Sequence, residues 1–318
     1  MLNDRRRTIL RLVAKEYIAT ARPVASARVA EQLDISSATV RNEFAALEES
    51  GLLEQQHVSA GRIPSSAGLG VYARLFIPPG SLSTRQRSLI RSRLLDTHGE
   101  RLLQSVAQLA AELSGYAVSV RLPPDNSLHA LRVHLTALSS ARLLAVVILE
   151  HGLVRQQVLE ADPLPGDSVI SVAEERLNRL SVPLSELQAN TLALAASSAG
   201  DLRRMFQLFA EAASRLNEPQ VFHHGVSNLL EEPEANDPEF LRLAVREVES
   251  GGSGALTDRD LDVELAARTA RVRAALPLGR LRAELNVIGP ARMRYSQTFR
   301  IAGGIAAALP QPDQAELS

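Results

Sequence analysis

The 318 residues carry 35 basic and 36 acidic side chains, a formal net charge of −1, with 45% apolar and 22% charged residues, which is ordinary for a globular chain of two or three domains. That balance argues against a uniformly basic nucleic-acid coat, and the absence of cysteine excludes disulfides, thiolate metal sites and cysteine catalysis. The longest apolar run, Leu143 to Leu149, is far shorter than the roughly 20 residues of a spanning helix. No apolar signal core follows Arg5-Arg6-Arg7, so a cytoplasmic chain without membrane contact is expected. The charge is unevenly spread: residues 1–95 hold 14 basic and 8 acidic side chains, +6, which leaves −7 for the remainder. Positive charge is thus concentrated where a phosphate backbone would be met.

Asn3 to Tyr17 reads as a helix with Ile9, Leu12, Val13 and Tyr17 on one face. Arg5, Arg6 and Arg7 on it could reach a DNA backbone; for any single one a solvated helix face is the readier description, and as a group with Arg85, Arg87, Arg91 and Arg93 they favour an anionic partner. Pro23 starts a turn, and Val24, Val29, Ala30 and Leu33 give a short helix closed by the polar turn Asp34-Ile35-Ser36. Ser36 or Ser37 can cap the next helix. There Val40, Phe44 and Leu47 share the inner face, while Ser37, Ala38, Thr39, Arg41 and Asn42 face out near its start. Small and hydrogen-bonding residues at that end suit a helix entering the major groove N-terminus first. Gly51 provides the helix exit, and Leu52 to Gln56 reads as a strand leading to a tip of His57, Ser59, Ala60, Gly61 and Arg62. Arg62 would lie beside the groove or a phosphate. Each piece alone could be an ordinary packed unit. The order of short helix, turn, second helix and basic hairpin is that of a winged helix-turn-helix binding duplex DNA.

Gly68 to Phe76 continues this unit, and Ile77-Pro78-Pro79-Gly80-Ser81 marks a linker. Residues 84–114 read as helical. Beyond Gly115 the period changes to two: Ala117 to Leu122, Leu131 to Thr136, Leu143 to Leu149 and Leu153 to Leu159 form an expected antiparallel meander. Asp167 to Asn217 is helical throughout, with Ser185 and Gln188 as a candidate capping box. Leu202, Met205, Phe206, Phe209, Ala213 and Leu216 make an apolar stripe, the usual mark of a core helix. Asp237-Pro238 starts another helix, and Gly251-Gly252-Ser253-Gly254 ends it. That glycine run lacks the lysine of a P-loop and just misses a nucleophile elbow. Leu285 to Ile288 reads as a closing strand and Arg292 to Leu309 as a final helix. The seven histidines, among them the adjacent His223 and His224, show no metal-ligand spacing. No catalytic group, metal site or cofactor is expected.

Five segments resemble the HrcA family of heat-inducible transcription repressors: Ala38 to Glu43, Leu47 to Leu53, Ser59 to Pro64, Ser227 to Leu230 and Ile288 to Tyr295. They span nearly the whole chain in the family's order. Only the stretch from about Gly251 to Leu285 looks shorter and less similar. The resemblance implies an α+β multidomain fold with an N-terminal winged helix-turn-helix, a central GAF-like α/β domain with an antiparallel sheet, and an inserted, mainly helical dimerising domain. The corresponding limits are 1–76 for the winged unit, 77–96 for a connecting segment, 97–165 and 247–310 for the two parts of the GAF-like domain, 166–246 for the insert, and 311–318 for a tail. Within the insert the resemblance gives Leu202, Met205, Phe206 and Phe209 a dimerising role. It further implies a homodimer on an inverted-repeat operator before chaperone operons, kept active by the chaperonin GroEL. DNA contacts are expected from Arg5, Arg6, Arg7, Ser37, Thr39, Arg41, Asn42 and Arg62. The alternative is a regulator using the GAF-like domain as a small-molecule pocket; an enzyme fused to a DNA-binding module would need a polar cleft that the residues do not announce.

Overall fold

A computed structural model describes residues 2–55, 61–77, 80–95, 97–125, 127–252, 261–278 and 281–309. The expected wing tip at His57, Ser59 and Ala60, the prolines 78 and 79, Ser253, Gly254 and the 311–318 tail lie outside the described residues.

Three helices open the chain: α1 (Asp4–Thr20), α2 (Ser26–Leu33) and α3 (Ser37–Glu49). Each starts or stops for a local reason. The Asn3 side chain accepts from the Arg6 amide at 2.8 Å, Asp34 closes α2 in the left-handed region at φ 52, and the Ser36 hydroxyl accepts from the Thr39 amide at 3.0 Å, so helix-end amides that lack a partner are satisfied. Val24 precedes α2 instead of joining it, and makes an isolated antiparallel bridge to Arg62. Ile9, Leu10, Val13, Val29, Val40, Phe44 and Leu47 form one core.

The hairpin strands β1 (Leu53–Glu54) and β2 (Ile63–Pro64) pair antiparallel. They are followed by α4 (Ser66–Phe76), capped by Ser65, whose hydroxyl also donates to the Gly51 carbonyl at 2.6 Å. The stretch expected to be one helical run is two, α5 (Thr84–Leu94) and α6 (Gly99–Ser114). Gly99 begins α6 at φ +57, and a Cβ there would sit 2.3 Å from the Gly152 carbonyl oxygen, so the break is built around a close backbone approach that only glycine permits.

The strands divide between two sheets, which corrects the single expected meander. In chain order they are β3 (Ala117–Leu122), β4 (Ala130–Ala137), β5 (Arg142–Leu149), β6 (Val154–Glu160), β7 (Gln220–His224), β8 (Leu261–Leu265), β9 (Thr269–Leu278) and β10 (Leu281–Pro290). One sheet has the order β7-β3-β10-β9-β8 and the other β4-β5-β6. The helices α7 (Asp167–Leu177) and α9 (Gly200–Ala213) pack on the three-stranded sheet, and α8 (Leu184–Ala196) packs on α9. The insert read from topology therefore lies between β3 and β7 and is a sheet with a helical layer. Strands β4 to β6 belong to it and not to the GAF-like part. Conversely β7 and α10 (Pro238–Ser250), expected inside the insert, pack with the five-stranded sheet. The expected capping box does not form: α8 begins after Pro183 with no side-chain cap. The exposed His223 and His224 sit on the edge strand β7.

On one face of the five-stranded sheet, α6 and α11 (Tyr295–Ala308) bury Val118, Val120, Val272, Ala274, Leu285 and Val287. The opposite face carries Arg271, Arg273, Glu284, Asn286 and Ser119, all nearly or fully buried. Arg273 donates to Glu284 at 2.7 Å and also pairs with Glu264. Charges this deep persist because they neutralise one another.

The edge of β4 is closed by side chains rather than by a strand. Asn178 accepts from the Val133 amide and donates to its carbonyl, each at 2.8 Å, and Glu174 accepts from the Leu135 amide at 2.8 Å. Unpaired edge groups are thereby capped.

Candidate nucleic-acid interface

The second and third helices meet through the turn Asp34 to Ser36, and α3 presents its first turn outward. Val40, Phe44 and Leu47 are 0%, 3% and 0% exposed, whereas Ala38, Arg41 and Asn42 are exposed in the whole chain. The principal contacts of α3 are to α1, α2 and β1, all within the same small unit. The tip of α3 is therefore not covered by the larger domains.

Within that tip the expected residues are not equivalent. Arg41 and Asn42 are exposed side chains able to address base edges. Ser37 is half-buried and its hydroxyl shares a hydrogen bond with Ser26 at 2.9 Å. The Thr39 hydroxyl likewise shares one with Ser36 at 2.8 Å, so both hydroxyls hold the turn in this arrangement.

The three arginines of α1 also differ. Arg6 donates through Nε to Glu43 on α3 at 2.8 Å, and Arg5 approaches the same carboxylate at 3.8 Å. Arg7 lies 4.0 Å from Asp4 and keeps 49% of its side chain exposed. Arg62 is pulled inward: its Nε donates to Glu48 at 3.0 Å, and its side chain is only 19% exposed. Its backbone is equally committed, bonded to Val24 through both amide and carbonyl at 2.9 and 2.8 Å. Glu43 and Glu48 were not legible as part of the interface, because carboxylates on a DNA-binding helix read as solvated charge. Their signal, seen afterwards, is that they fall on the α3 sides facing α1 and the wing.

The dimerising residues need a correction. Met205, Phe206 and Phe209 are 1%, 0% and 1% exposed inside the subunit, and Leu202 packs half-buried against the same core. An amphipathic helix lying on a sheet spends its apolar stripe on that sheet, so none of the three is available to a second copy. The insert's uncovered apolar surface lies on the other side of β4 to β6. There Leu144, Val146 and Ile148 of the central strand are half-buried, flanked in register by Val158 and Thr136, Gln156 and His134, and Val154 and Arg132.

Among the described residues no group of three or more His, Asp or Glu is placed to hold a metal, and no helix is long and apolar enough to cross a membrane. An ordered pair of short helices, a solvent-facing helix tip and a hairpin beside it define a winged-helix DNA-binding regulator of transcription. The sequence profile of a helix-turn-helix domain matches residues 1–56, and that of the HrcA protein C terminal domain matches residues 100–255. The chain belongs to the HrcA family. The heat-inducible transcription repressor HrcA of Symbiobacterium thermophilum is 31% identical over 341 residues, covering 97% of this chain and 98% of that protein. Its namesake from Clostridium perfringens is 29% identical over 324 residues, covering 95% and 96%. A crystal structure described only as that of a hypothetical protein superposes with a TM-score of 0.62 at 25% identity, over 96% of this chain and 97% of the other.

Proposed function

We propose that two copies of this chain bind an inverted-repeat operator ahead of chaperone operons and repress their transcription, with the chaperonin GroEL keeping the repressor active until heat-stressed proteins occupy it. The observation that carries the reading is the exposed tip of α3, with Arg41 and Asn42 outward over a buried Val40, Phe44 and Leu47. A two-fold pair of such tips about one helical turn of DNA apart, roughly 34 Å, would read two half-sites. Phosphate contacts fall to Arg5, Arg6, Arg7 and Arg62, of which Arg7 is the least committed to a buried carboxylate. The second copy docks on the uncovered face of β4 to β6, where an apolar stripe is framed by polar neighbours.

A footprint on the upstream region of the chaperonin operon tests the operator. In a mobility shift Arg41→Ala should weaken binding by about 1–3 kcal/mol; unchanged affinity removes Arg41 from the base-reading set. Reconstituted repression that ignores added chaperonin across a heat-shock range would remove the chaperonin from the account.

A further inference from the structure

The segment Ile288 to Tyr295, which carries much of the resemblance, runs from the end of β10 to the first residue of α11. Its end lines a cleft of about 770 Å³ between the winged unit and the five-stranded-sheet unit. One wall is Lys15 and Ile18 of α1 with Tyr72 of α4; the other is Tyr116, Arg294 and Arg300 around the start of α11.

The charges in this cleft do not cancel. Arg292 is neutralised, donating to Glu234 at 2.6 Å and to Glu232 at 3.2 Å. Arg294 is held over the Tyr116 ring at 5.1 Å and donates to the Tyr116 hydroxyl at 3.2 Å and the Ser114 carbonyl at 3.3 Å. These neutral partners fix its position without consuming its charge. The Nε of Arg300 is buried with no hydrogen-bond partner, a state that costs free energy unless something else occupies the donor. Lys15 pairs with no carboxylate among the described residues. Against these stand Glu231 and the two carboxylates that share Arg292, Glu232 also lying within the electrostatic reach of Arg294, so four cations face three carboxylates and the cleft stays net positive. The first turn of the 14-residue α11, which no side chain caps, also faces the cleft, adding the positive end of a helix dipole.

We propose that this cleft binds a small molecule bearing a phosphate group. Two guanidinium forks and an ammonium suit the charge and three acceptor oxygens of a phosphate, and the volume leaves room for an organic body against Ile18 and Tyr72. A ligand seated there touches α1 and α11 together, so it ties the winged unit to the sheet unit in one orientation. The two-fold placement of the α3 tips, and with it operator affinity, becomes responsive to that ligand.

The test is calorimetric titration of the full-length protein with inorganic pyrophosphate and, separately, with ATP, which carries an organic body. The expected result is saturable binding of at least one probe, weakened tenfold or more by Arg300→Gln and by Lys15→Gln and unchanged by Arg41→Ala, which removes a cation of the DNA-facing tip. Absence of saturable heat from both probes, or equal binding by wild type and both cleft variants, overturns the inference. A mobility shift on the same preparations separates the two readings. Operator binding without probe binding removes the cleft and leaves the repressor; probe binding without operator binding does the reverse.

Discussion

Phe206 separates the two roles that the apolar stripe of α9 could serve. Its side chain is 0% exposed and packed in the main core, so Phe206→Ala deletes a ring from a closed interior. Removing a fully buried phenylalanine costs about 3–5 kcal/mol, the sum of lost transfer free energy and a residual cavity. A whole domain is stable by only about 5–15 kcal/mol. The variant should therefore unfold at a much lower urea concentration by far-UV circular dichroism, with a loss of stability that persists when protein concentration is changed tenfold. Val158→Asp supplies the contrast. Val158 is 44% exposed on the uncovered face of β6, so the substitution should leave subunit unfolding within about 1 kcal/mol of wild type and weaken self-association in sedimentation equilibrium. An unchanged unfolding midpoint together with lost self-association in Phe206→Ala would instead mark Phe206 as an interface residue.

Glu43→Gln removes the carboxylate shared by Arg5 and Arg6. Because the pair is partly exposed, stability should fall by less than about 1 kcal/mol. Freeing Arg6 for one more phosphate should steepen the slope of log K against log salt by about 0.9; a mobility-shift salt series with an unchanged slope contradicts this. Gly68→Ala would place a Cβ 2.0 Å from the Leu52 carbonyl oxygen, which forces α4 or the wing to shift and should cost about 1–3 kcal/mol, read as a lower thermal midpoint. Burial, with a smaller contribution from Tyr116, pushes the Tyr295 phenol well above the ordinary tyrosine range. A raised folded pKa contributes stability that is fully present below the unfolded value near 10 and is lost as pH rises through the folded one. Tyr295→Phe should accordingly lose less stability than wild type between pH 9 and 12 in a urea series.

The helices of the winged unit were legible because everything that fixes them is local. Apolar residues recur at helical spacing, Ser36 caps α3, and Asp34 turns the chain within a few residues. The strands β3 to β6 were legible for the same reason, but their partners were not. Nothing within Ala117 to Leu122 says that its neighbours are Gln220 to His224, about a hundred residues on, and Leu281 to Pro290, farther still. Strands β8 and β9 escaped notice because Glu264, Arg271 and Arg273 put charges where an apolar alternation would announce a buried strand. Arg271 and Arg273 are buried, and their charges are tolerated by pairing with the partly exposed Glu264 and, for Arg273, with the buried Glu284. At the interface the sequence identified which residues belong to the tip of α3. It did not say that the Ser37 and Thr39 hydroxyls hold the turn or that Arg62 points at Glu48, because a hydroxyl's or a guanidinium's partner is a tertiary choice.

The position of the wing is tied to the sheet by a short chain of contacts. On α4, Arg74 donates to the Val263 carbonyl at 2.7 Å and lies 3.8 Å from Asp262, while Ser66 donates to the Ala266 carbonyl at 3.0 Å. All three acceptors are on or beside the edge strand β8. One residue before α4 begins, Ser65 reaches back to Gly51 and Leu52 at the exit of α3. At the other end of the hairpin Arg62 joins Val24, two residues before α2 begins. These contacts join β8, α4, the root of the wing and the C-terminal end of α3 in one continuous series. The N-terminal tip of α3 takes no part in these contacts and keeps Arg41 and Asn42 exposed. A signal received by the sheet unit would consequently act on where the tip of α3 stands and leave its fold intact.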